Sequence, residues 1–152
     1  MERRTQMKGI FALLLGMLLA VGGFAATDAA DEKEAVKKTI VSGYIEGIFL
    51  KGDPELVKKG WHEDCDIVMY RDKKLQKLPA KFWVERLEKK PGPPRPGVEV
   101  TYEFEDVKVV GNAALAVVKV FADGKQKYTD FMNLYKFESG WKIVTKTFYS
   151  HF

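Results

Sequence analysis

"DFMNLYKFESGWKIVTKTFY" fills residues 130–149, and its reading decides the fold. Two arms of alternating side chains flank Glu138-Ser139-Gly140, the pattern of an antiparallel hairpin. With those three residues as the turn and glycine in the bulge position, Phe137 pairs with Trp141 and Leu134 with Val144. Met132 then pairs with Lys146, and Asp130 with Phe148. One face carries Asp130, Met132, Leu134, Val144, Lys146 and Phe148. The other carries Phe131, Tyr135, Phe137, Trp141 and Ile143. An acid and a base therefore share a face as diagonal neighbours.

Working outward, the period of two extends back to Gly97. Val98, Val100, Tyr102 and Phe104 alternate with Glu99, Thr101, Glu103 and Glu105, which predicts a half-buried strand. Gly111-Asn112 turns the chain into "AALAVVKVFA", apolar on both faces and therefore central. Asp123-Gly124 is a two-residue hairpin signal leading into the strand that ends near residue 137.

Before Gly97 the period is helical. Val36, Ile40, Tyr44 and Ile48 recur every fourth position, which predicts a helix over 32–51 with Asp31 as its N-cap and Gly52 as its stop. Asp53-Pro54 restarts a short helix, because aspartate caps and proline suits the first helical position. "CDIVMYRD" is a brief strand. Pro79 opens a third helix whose Ala80, Trp83, Val84 and Leu87 share a face. "KKPGPPRPG" at 89–97 ends it, since the residue before a proline disfavours helical geometry. Helices followed by a long curved sheet make an α+β design.

The start reads as an address. Arg3, Arg4 and Lys8 precede an uncharged run from Gly9 to Ala26, and Gly23 and Ala25 form a small-x-small site. That order predicts a signal peptide over 1–25, cleaved near Ala25, and a domain over 26–152 that is secreted or periplasmic. The alternative is a retained anchor, for which the run is short and interrupted by glycines. Removal of 1–25 takes three of the 25 bases and one of the 21 acids, leaving a net charge of +2. So balanced a chain gives no argument for a nucleic-acid partner. Cys65 is the single cysteine, so no internal disulfide forms and no cysteine cluster holds zinc.

Two stretches, "GYIEGIFLKGDPELVKKGWHEDCDIV" and "YTDFMNLYKFESGWKIVTKTFY", resemble the nuclear-transport-factor-2-like (NTF2-like) superfamily. This cone-shaped fold is shared with ketosteroid isomerases and SnoaL-like polyketide cyclases. Within it, the second stretch is similar to the branch described as SnoaL-like or "putative lumazine-binding". The resemblance covers residues 32–149. It implies three N-terminal helices packed on a curved, mostly antiparallel sheet, with a pocket between them for a small apolar or aromatic ligand. It also places the face bearing Asp130 and Lys146 on the concave side. The opposite aromatic face is too apolar to leave wet, which predicts a homodimer.

An isomerase of this fold needs a general base in the pocket and acidic donors for an oxyanion. Aligned on "WHEDCDIV", Met69 stands where the base would be, and methionine takes no proton. Tyr44 lies one residue, about 100° of helix, from the isomerase tyrosine. Asp130 alone stands near an acid position. Its structural alternative is an ion pair with Lys146.

The sequence thus predicts a binding protein with no catalytic set, cofactor or metal. Its ligand-contacting candidates are Tyr44, Met69, Trp83, Asp130, Met132 and Lys146. An acid–base enzyme of SnoaL-like type and an interaction module with a collapsed pocket are the alternatives. His62, Asp64 and Asp66 alternate on an extended segment, but a solvated helix exit with Asp64 accepting backbone donors accounts for them. Cys65 reads as a small core filler and His151 as a tail residue. "DKKLQKL" and "LEKKPGPPRPG" make a local basic patch, either a solvated face or a site for an anionic ligand or membrane surface.

Overall fold

The computed structural model describes residues 21–152, with side chains from Asp28. The signal-peptide expectation falls, through residue 20, outside the described residues. Helix α1, Val21–Ile40, runs without a break into a π-helix, Val41–Leu50. Asp31 is therefore interior to a helix and caps nothing. The alanine-rich "AATDAA" before it has no residue that stops a helix, so α1 begins upstream.

Helix α2, Pro54–Gly60, starts as its sequence predicts. The Asp53 side chain accepts a hydrogen bond from Glu55 N at 2.9 Å, and Pro54 occupies the first turn. It packs on the π-helix through paired glycines. A Cβ added at Gly43 would lie 2.5 Å from the Cα of Gly60, so neither position tolerates a side chain.

The sheet has six strands: β1 Trp61–Arg71, β2 Lys74–Pro79, β3 Val100–Val110, β4 Ala113–Ala122, β5 Lys125–Phe137 and β6 Gly140–Ser150. Their order is β2-β1-β6-β5-β4-β3, with β1 parallel to β6 and every other pair antiparallel. Helix α3, Lys81–Lys89, follows β2, so the third helix is not N-terminal to the whole sheet. Pro79 closes β2 instead of opening α3. The result is the expected α+β arrangement of three helices on a curved, unclosed sheet.

The final hairpin differs from its sequence reading near the turn. Phe137 pairs with Gly140 and Lys136 with Trp141 across a two-residue turn, Glu138-Ser139. The extra residue sits in β6 at Val144, between the pairs Leu134–Ile143 and Asn133–Thr145. Beyond this bulge the predicted register holds, with Met132 opposite Lys146 and Asp130 opposite Phe148. A bulge turns the chain by one side chain. Trp141 and Ile143 therefore point into the core and do not join Phe131 and Tyr135 outside.

The core lies between the concave face and the helices. Val36, Ile40, Tyr44 and Ile48 from the long helix are almost fully buried against Val118, Met132 and Ile143 from the sheet. Glu32, in the middle of α1, fastens that helix to the hairpin, accepting from Trp141 Nε1 at 2.7 Å and from Lys136 Nζ. Those two donors hold its carboxyl below the usual carboxylate range.

Candidate functional site

Three polar side chains meet in the core. Tyr44 Oη donates to Asp130 Oδ2 at 2.7 Å, and Lys146 Nζ donates to Tyr44 Oη at 2.8 Å. Lys146 Nζ also lies 2.8 Å from Asp130 Oδ1, closing the ring with an ion pair. That last contact is a charge contact only, because Oδ1 receives no directed hydrogen bond among the described residues. Asp130 is 0% exposed and Lys146 5%. A buried charge this deep persists only when paired.

The ammonium is further enclosed by ring faces, 4.5 Å from the Tyr44 centroid and 4.7 Å from that of Phe148. Burial pushes the Tyr44 phenol well above its ordinary value, and the Asp130 charge adds to that. Burial lowers the Lys146 pKa, with Asp130 opposing the shift. Tyr44 is thus held neutral as a donor.

This ring floors a cavity of about 430 Å³ between the concave sheet, α3 and the proline-rich segment. Tyr44 and Lys146 form part of its lining. Its walls are apolar, including Phe49 from the π-helix, Met69 from β1, Trp83 from α3, Tyr128 from β5 and Phe148 from β6. Of the six residues singled out by sequence, Tyr44, Met69, Trp83 and Lys146 line the cavity. Asp130 lies behind Tyr44 and Lys146, and Met132 is fully buried; neither lines it.

Sequence reasoning missed Arg71, Arg86 and Lys127 and placed Arg95 only in a basic patch; all four line the same cavity. They come from β1, α3, the proline-rich segment and β5, so no linear motif joins them. The basic-patch reading around α3 was the one signal that pointed their way.

A second depression, about 540 Å³, lies outside the cone between α2, the start of β1 and the β5–β6 turn. There His62 stacks on Phe137 with centroids 5.0 Å apart. Lys58 beside it is already engaged by Glu55 and Glu88, and no buried polar group faces the depression. The cone cavity has the stronger chemistry.

The remaining candidates are structural. Asp64 is exposed, its own N–H donates to His62 Nδ1 at 3.2 Å, and among the described residues its carboxylate accepts no backbone donor, contrary to the sequence reading. The segment is the first part of β1, directly after α2 ends at Gly60. Among the described residues no group of three His, Cys, Asp or Glu is placed to hold a metal. Cys65 is buried, which pushes its thiol up to about 12 and leaves it unreactive. His151 is not a free tail residue, since its Nε2 lies 2.9 Å from Thr129 Oγ1. Phe82, on α3 beside Trp83, is 43% exposed.

Comparison with known proteins agrees with this geometry. The family described as "Putative lumazine-binding" matches residues 31–149. An NTF2-like protein of unknown function from Shewanella baltica OS155 superposes with a TM-score of 0.65 at 24% identity, over 80% of this chain and 95% of that one. One from Silicibacter pomeroyi DSS-3 gives 0.62 at 17% identity, over 83% and 98%. A third, from Methylobacillus flagellatus KT, gives 0.61 at 24%, over 80% and 94%. At these identities the likeness speaks for the fold. Comparison with curated proteins finds no match.

Proposed function

The chain belongs to the "Putative lumazine-binding" family of NTF2-like fold, and from that membership we propose that it is a small-molecule-binding protein. The carrying observation is the open cavity of about 430 Å³ with aromatic walls, within the size range of small-ligand sites. Its lining supports a ligand with a flat or apolar body, stacked against Trp83 and Phe148. That open space favours binding over a module with a collapsed pocket.

Catalysis at Asp130 is the weaker reading. Its carboxylate is fully buried and capped by Tyr44 and Lys146, so no proton in the cavity is within its reach. The ring reads as a charge-paired floor.

We further propose export through residues 1–25, a mature domain over 26–152 and a two-fold dimer. Among the described residues no helix is long and apolar enough to cross a membrane. The face opposite the cavity carries Val110, Leu115, Phe131 and Tyr135, all exposed, which supports pairing of two sheets there. N-terminal sequencing of protein from producing cells should read from Ala26, and an intact Met1 would refute export with cleavage.

Native mass spectrometry of the same preparation tests the function. A reproducible small organic adduct, displaced when Trp83→Asp charges the wall, is the expected result. An empty protein that also takes up no aromatic probe would refute binding.

A further inference from the structure

Every charged side chain that lines the cone cavity is basic. Arg71, Arg86, Arg95, Lys127 and Lys146 contribute to its lining, and among the described residues no Asp or Glu does. Lys146 is neutralised from behind by Asp130. The other four have no acid within ion-pair distance among the described residues, so their charge is not cancelled at the cavity. Arg71 and Arg95 are exposed, while Arg86 and Lys127 are half-buried, which puts the uncompensated charge toward the mouth.

Two of the four are held against the aromatic wall. The Arg86 guanidinium carbon sits 5.2 Å from the Trp83 ring centroid, and Lys127 Nζ sits 5.3 Å from that of Phe152. Each keeps its N–H donors free while its approach to the ring fixes its position. Low-dielectric walls around like charges concentrate their field inside the cavity.

We infer that the cavity selects an amphipathic organic anion, its apolar or aromatic body inside and one acidic group among the mouth cations. This rests on the small-molecule reading above and adds the charge of the ligand. A carboxylate, sulfonate or phosphate head meets the same donors.

The test uses a pair of dyes that share a body. Anilinonaphthalene sulfonate carries the acid; its parent, phenylnaphthylamine, lacks it. In fluorescence titrations of the full chain at low salt, the sulfonate should bind roughly tenfold tighter than the parent. That gain should shrink at high salt and in Arg86→Gln/Lys127→Gln, checked for unchanged circular dichroism. Equal affinities, or a gap indifferent to both salt and the double substitution, would overturn the anion preference while leaving small-molecule binding standing. Failure of both dyes to bind would overturn the two together.

Discussion

Replacing Asp130 by alanine tests the buried ring most directly. The substitution leaves the Lys146 ammonium 5% exposed, with Tyr44 Oη as its remaining polar partner. Breaking a buried pair by removing one member costs about 3–5 kcal/mol. The ring faces at 4.5 and 4.7 Å offset about 1 kcal/mol, so the expected loss is about 3 kcal/mol at neutral pH. Because burial already lowers the Lys146 pKa, the stranded amine can shed its proton, and the loss should shrink as pH rises.

Asp130→Met/Lys146→Met removes both charges but leaves the Tyr44 hydroxyl buried without a partner, at about 1–3 kcal/mol. Adding Tyr44→Phe should bring stability back to within about 1 kcal/mol of the parent. Urea unfolding followed by tryptophan fluorescence, at constant slope, reads all of these. Costs that simply add across the single and double substitutions would refute the coupling. So would an Asp130→Ala loss below about 1 kcal/mol.

Gly43→Ala should cost about 1–3 kcal/mol, because its Cβ would stand 2.5 Å from backbone at Gly60; an unchanged Tm would refute the close crossing. The raised Tyr44 pKa means the native state keeps a proton that the unfolded chain releases near pH 10.0. Stability from Tyr44 is thus full below that pH and lost above it, whereas the lowered Lys146 pKa works in the opposite sense below 10.5. The stability advantage of the parent over Tyr44→Phe should shrink above pH 10.0, and urea melts in which it grows would reverse the sign. Tyr135→Glu should convert a dimer seen in sedimentation at micromolar concentration into monomer or aggregate; a soluble monomeric parent would refute pairing through that face.

The inner half of the last hairpin was legible because Asp130, Met132, Lys146 and Phe148 alternate cleanly on both arms. Its turn was not, because a shorter turn and a bulge at Val144 shift the register by one residue each and cancel. The two offsets leave no trace in the pattern beyond them, and they misplaced Trp141 and Ile143. Strand β2 was invisible for another reason. Its residues are almost all exposed, and the turn before it places Asp72 and Lys73 at φ +52° and +61° where glycine or asparagine would have signalled a hairpin. Of the site, the cavity residues Tyr44, Met69, Trp83 and Lys146 came from resemblance and register. The mouth cations did not, since proximity across four elements is a property of the folded chain.

Every fourth residue of the long helix, Val36, Ile40, Tyr44 and Ile48, is buried, although four residues do not complete a whole number of α-helical turns. Along α1 such a stripe precesses by about 40° at each step. In the π-helix, whose bonds span five residues, the wider turn precesses it backward. The junction at Ile40–Val41 therefore acts as a phase reversal, holding one stripe toward the sheet across two kinds of helix. Tyr44 sits just past that reversal. Deleting one residue from 41–43 would rotate Tyr44 about the helix axis relative to α1, swing the phenol away from Asp130, and leave the floor of the cavity open.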